Sequence, residues 1–74
     1  MTEAIEVVVN GEPRAVRAGG GGGATLLALL RELDLDPRTV VVEHNRRIVR
    51  RPALGEVTIA AGDAIELVHF VGGG

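Results

Sequence analysis

The order of hydrophobic patterns along this chain predicts an α+β domain in which a mixed sheet of four to five strands packs on one main helix. Apolar residues alternate from Ile5 to Val9 and return after Asn10-Gly11. A single leucine stripe of helical period lies between residues 26 and 33, and further strand-like runs follow it, at Thr39 to Glu43 and Ala64 to Val71. Two hairpin-like halves around one amphipathic helix bury that helix across one face of a sheet. The chain has 74 residues. At that size only about 60% of the surface of the unfolded chain can be buried, so there is room for one core and one domain.

The elements follow in order. Ile5, Val7 and Val9 alternate with Glu6, Val8 and Asn10, the period of a strand with one buried face. Asn10-Gly11 tolerates the positive φ angles of a tight turn, and Arg14 to Arg17 returns as the partner strand, with pairing expected to begin at Pro13. Leu26, Leu29, Leu30 and Leu33 fall at i, i+3, i+4 and i+7, and Leu27 widens the stripe. Thr25 is the expected N-cap, and the stop is expected near Asp34, because Pro37 pushes Asp36 out of the helical region. A helix of about ten residues is too short to stand alone in water, so it needs the sheet. Thr39 to Glu43 reads as a central strand that turns through His44 to Arg47 into Ile48-Val49. Leu54 to Ile59 reads as irregular or a short edge piece, Gly62-Asp63 as a turn, and Ala64 to Val71 as the longest strand.

Composition narrows the function. The chain is 46% hydrophobic and 24% charged with a net charge of -2, so nothing points to nucleic acid or an acidic membrane. Phe70 is the single aromatic residue, too few for a stacking platform. Cysteine is absent, which removes disulfides and thiolate chemistry and suits a reducing cytoplasm. No apolar run approaches the roughly 20 residues of a membrane span, and the start lacks a signal-peptide pattern. The Gly19 to Gly23 run before the helix invites a phosphate-loop reading, but Ala24-Thr25 follows where that motif needs Lys and Ser or Thr. A flexible connector is the simpler account. His44 and His69 read as isolated, with no triad or metal spacing. Arg46, Arg47, Arg50 and Arg51 read as a solvated hairpin end more readily than as a surface for an acidic partner.

The carboxyl end carries the most information. If Ile65 and Leu67 face the helix, alternation places Glu66, Val68 and Phe70 on the other face, where a domain this small has nothing to cover them. Val68 and Phe70, joined by one or two of Val40, Val41 and Val42, would then form an apolar patch of the kind that marks partner surfaces. Residues 1–71 form the expected domain and Gly72, Gly73 and Gly74 a flexible tail. Three residues without Cβ can thread a narrow channel. The terminal carboxylate is ionised at neutral pH and becomes an electrophile only after activation.

These segments together resemble the ThiS family, the β-grasp, ubiquitin-like sulfur carriers of thiamine biosynthesis. The resemblance rests on Val9-Asn10-Gly11-Glu12-Pro13, Thr25 with the leucine stripe, Val42 to Asn45 with Ile48-Val49 and Arg51, and Gly62-Asp63-x-Ile65-Glu66. It continues through Val68-x-Phe70-Val71-Gly72-Gly73-Gly74. It implies a carrier that is a substrate and not an enzyme. An E1-like adenylyltransferase would use ATP to adenylate Gly74, a persulfide sulfur donor would convert it to a thiocarboxylate, and thiazole synthase would take the sulfur. No cofactor would be bound by the carrier itself. Val68, Phe70 and Val71 would belong to the surface and stem that the partners grip. The sequence departs from the family in its long glycine run and in Arg46-Arg47, where a glycine-containing turn is common.

Other readings stay open from residues alone. The small subunit of molybdopterin synthase has a similar Gly-Gly end, though its family tends to proline-containing stems, and a carrier for cysteine or another sulfur-containing metabolite is a further reading. A ubiquitin-like modifier joined through Gly74 to a lysine, and a plain binding module with an inert tail, are the alternatives of other classes.

Overall fold

The computed structural model describes residues 3–18 and 24–69. The chain opens with strands β1 (Glu3–Val9) and β2 (Glu12–Ala18), paired antiparallel from Glu3↔Ala18 to Val9↔Glu12. Asn10 and Gly11 join them with φ of 50° and 83°, the two positive values of a type I′ turn. Pairing begins at Glu12, one residue before Pro13. Pro13 lies opposite Val8 in a non-hydrogen-bonded position of this two-residue hairpin, so its missing N–H falls on the free edge of an edge strand.

The helix α1 spans Leu26–Glu32, seven residues where about ten were expected. Thr25 is its N-cap, and its hydroxyl accepts from the Ala28 amide at 3.1 Å. The stop falls beside Asp34 as expected, but its cause is local. Asp34 takes a φ of 61°, the Asp34 amide donates to Arg31 O and the Leu35 amide to Leu30 O, which together make a Schellman C-terminus. Aspartate holds the left-handed position that glycine usually takes, and the helix ends before Pro37 exerts any effect. Pro37–Thr39 then forms a one-turn 3-10 helix capped by the Asp36 carboxylate.

Five further strands follow among the described residues: β3 (Ala24–Thr25), β4 (Val40–His44), β5 (Arg47–Val49), β6 (Thr58–Ile59) and β7 (Ala64–His69). The main sheet has the order β2-β1-β7-β4-β5. β7 runs parallel to β1 and antiparallel to β4, so the sheet is mixed as expected. The valine strand β4 is interior, but the middle place belongs to β7. The segment from Leu54 to Ile59 is not merely irregular: Thr58–Ile59 pairs with Ala24–Thr25 in a separate two-stranded sheet. Extension of the last strand through Val71, and the glycine run, lie outside the described residues.

Leu26, Leu29 and Leu30 are fully buried against Val7, Val16, Val40, Val42, Ile65 and Leu67 of the sheet, while Leu54 and Ile59 close the side. Leu33 is only half-buried, because it is already the helix C-cap. Among the described residues no buried side chain is polar. Burial of a leucine side chain stabilises by about 1.5–3 kcal/mol, so this leucine face carries much of the domain.

Candidate functional site

The first turn of α1 can be set aside. The Leu26 amide donates to Val57 O, the Leu27 amide to Leu54 O and the Ala28 amide to Thr25, so the amides that would cradle a phosphate are already committed. The same bonds pin the segment between β5 and β6 to the helix start.

The end of β7 is where the structure gathers its unusual features. Ile65 and Leu67 are buried toward the helix, while Glu66, Val68 and His69 are exposed. Val68 is 58% exposed on the outer face. Directly opposite it on β4 lies Val41, half-buried; Val40 and Val42 point into the core and take no part. Of the three valines, therefore, one joins the patch. Sequence reasoning did not assign Ile48 to it: on β5, opposite Glu43, this side chain shares the outer face and is 68% exposed. Its signal was present in the alternation, since a residue opposite the outward Glu43 must itself point outward. Beyond the valines, Glu43 and Glu66 face each other across β4 and β7. Val68 is thus placed as expected; Phe70, Val71, Gly72, Gly73 and Gly74 lie outside the described residues.

A clip from the first turn holds the root of the tail. β1 pairs with β7 at Val8↔Ala64 and Val9↔Ile65, and the Asn10 amide donates to Ile65 O at 2.9 Å. The Asn10 side chain then extends the ladder: Oδ1 accepts from the Leu67 amide at 2.7 Å and Nδ2 donates to Leu67 O at 3.3 Å. One turn residue therefore does the work of another strand position and fixes the last stretch of β7 before the tail.

His44 is not isolated. Its Nε2 lies 2.7 Å from Asp63 Oδ2, and Asp63 also accepts from the Ala60 amide at 2.9 Å. Burial works against the Asp63 charge, yet the bonds from the Ala60 amide and His44 hold its carboxyl below the ordinary value. Asn45 joins the same group, with its Oδ1 accepting from the Ala64 amide. This cluster ties the β4–β5 turn to the turn before β7, and a separation of 19 residues hid it from spacing rules. Among the described residues no group of three potential metal ligands assembles, and no helix is long and apolar enough to cross a membrane.

A five-stranded mixed sheet with β1 and β7 parallel at its heart and one helix across its face defines a β-grasp domain of the ubiquitin-like kind, here with an apolar patch at the root of a glycine tail. The ThiS family model matches residues 7–74. The chain belongs to the ThiS family.

Relatives agree with that placement. A thiazole synthase from Magnetococcus marinus is 41% identical over 70 residues, covering 95% of this chain and 20% of its own length. The chain therefore spans about a fifth of that relative, and the same holds for a thiazole synthase from Paramagnetospirillum magneticum. The sulfur carrier protein ThiS of Bacillus subtilis is 42% identical over 50 residues, covering 68% of this chain and 76% of that protein. The crystal structure of a thiamine biosynthesis protein (ThiS) from Geobacter metallireducens superposes with a TM-score of 0.76 at 34% identity, covering 95% of this chain and all of that one.

Proposed function

We propose that this protein is a sulfur carrier that serves thiamine biosynthesis through its terminal glycine. The observation that carries the reading is membership of the ThiS family through residue 74 in a domain whose last described strand is clipped in place at the tail's root. Chemically, the carboxylate of Gly74 is a poor electrophile until an E1-like adenylyltransferase couples it to the AMP moiety of ATP with loss of pyrophosphate. The terminal sulfur of a persulfide donor then displaces AMP to form an acyl disulfide, and a thiol cleaves its S–S bond, leaving the thiocarboxylate and a disulfide. The ring-forming partner is a thiazole synthase, a choice supported by relatives of that name in which a domain like this one makes up a fifth of the chain.

In this scheme the chain supplies no catalytic side chain. Val68, Val41 and Ile48 offer an apolar docking face; Phe70 and Val71 form the stem, and Gly72 and Gly73 let the tail enter an enclosed site. A cytoplasmic location follows from the partners' chemistry. The test is an appended alanine after Gly74 in a reconstituted thiazole-forming assay. The extended protein, folded as judged by circular dichroism, is expected to give no product; undiminished product would remove Gly74 from the mechanism.

A further inference from the structure

The edge of the sheet beside β5 carries a feature beyond the apolar face, with which it shares Val41 and Ile48. The last β4–β5 pair is Val42↔Val49, after which the chain leaves the sheet for a 3-10 turn at Arg51–Ala53. β4 continues as Val40 and Val41 with no β5 partner. The two-residue turn makes His44–Arg47 a hydrogen-bonded pair, so alternation makes Val42–Val49 another and turns the Val40 amide and carbonyl toward the same open side. On that side lies a cleft of about 470 Å³ with Val40, Val41, Ile48 and Val49 among its lining residues, and Arg38, Arg50 and Arg51 around it.

The charge balance of this cleft is one-sided. Arg38 is bound by Asp36 at 2.9 Å, and that bond, followed by the Arg38 amide, holds the Asp36 carboxyl down to about 2. Arg50 and Arg51 have no carboxylate within bridging distance among the described residues. Arg46 and Arg47 stand on the same hairpin, and of the residues between 38 and 52 only Glu43 is acidic. A chain of net charge -2 thus places three of its eight basic residues, Arg38, Arg50 and Arg51, around one open strand edge.

We infer that this cleft docks an acidic, extended segment of a partner protein, which adds as a strand beside Val40–Val41 and places carboxylates on Arg50 and Arg51. Strand addition supplies main-chain bonds, while the alternating pockets and charges supply selectivity. A second copy of this chain is disfavoured, because edge-to-edge pairing there would bring two arginine sets together. The cleft lies at the same end of the sheet as the last described residue of β7, since Val40 pairs with His69. The inference rests on the carrier reading only in taking the partner to be an enzyme that handles the tail; the binding itself is independent of it.

The probe is a short end-capped peptide of alternating valine and glutamate, titrated into the 15N-labelled full chain and followed by amide chemical shifts. The expected result is saturable shifts at Val40, Val41, Ile48 and Arg50, weakened by salt. Exchange of Arg50→Glu with Arg51→Glu should weaken binding by about tenfold or more, and the paired lysine substitutions far less. Both arginine side chains are exposed, and amide spectra of the variants report whether the fold is kept. Equal response to the same peptide with lysine for glutamate would overturn the inference. So would tighter binding of a single-stranded oligonucleotide at these amides, concentration-dependent self-association through them, or no saturable shift at all. Failure of sulfur loading with peptide binding intact would count against the carrier reading alone.

Discussion

Removal of the Asn10 side chain tests how the tail's root is held. Asn10→Ala deletes the 2.7 Å bond to the Leu67 amide and the longer 3.3 Å bond to its carbonyl, and it places alanine at a φ of 50°. Stranding the part-buried Leu67 amide costs about 1–3 kcal/mol, and a left-handed conformation costs a residue with a Cβ about 1–2 kcal/mol. The expected loss is therefore about 2–5 kcal/mol, a large share of the roughly 4–11 kcal/mol that a domain of 74 residues possesses. Asn10→Gly removes the backbone penalty and keeps the hydrogen-bond loss, so about 1–3 kcal/mol is expected. Asn10→Asp keeps an acceptor for the Leu67 amide and should lose least. Urea unfolding followed by circular dichroism gives the three stabilities, and the melting temperature of Asn10→Ala should fall by at least about 8 °C. Hydrogen exchange at the Leu67 amide reports the clip directly. A stability of Asn10→Ala within about 0.5 kcal/mol of the parent, or unaltered Leu67 exchange in Asn10→Gly, would refute the reasoning.

Three further outcomes are expected. Arg46 sits at a φ of 72° in the β4–β5 turn, so Arg46→Gly should raise stability by about 1 kcal/mol in the same urea assay, and Asp34→Gly at the helix end should act in the same direction. Asp36 and Asp63 have carboxyls depressed below 3.8 in the folded state, so their contribution to stability is complete above that value and is lost as the pH falls through the folded values, which for Asp36 means down to about 2. Asp63→Asn should flatten the acid limb of a stability-versus-pH curve. Val68→Asp changes an exposed side chain, so the melting temperature should move little, whereas sulfur transfer in the reconstituted assay should fall by about tenfold or more.

What was legible in the sequence was local or periodic. Asn10-Gly11 specified its turn, Thr25 its cap and the leucine spacing its face, because each depends on neighbours within a few residues. The helix end was misattributed: Pro37 attracted the stop signal, while the left-handed Asp34 performed it in a residue type that does not announce a C-terminus. Pairings between distant segments were not legible. The β3–β6 ladder joins two-residue strands with no alternation to detect, and the Asn10 clip spans 57 positions. His44 looked isolated for the same reason. At the candidate site, alternation along β7 placed Val68 outward, yet the run Val40 to Val42 could not by itself show which valine shares that face; the register with β7 decided for Val41.

The most direct test is the intact mass of the protein with its native end after incubation with ATP, an E1-like adenylyltransferase, a persulfide donor and a thiol reductant. A carrier gains the difference between one sulfur and one oxygen, located by fragmentation to Gly74 and absent when Gly74 is deleted. An unchanged mass, with the same enzymes shown to load the Bacillus subtilis relative, would contradict the carrier function.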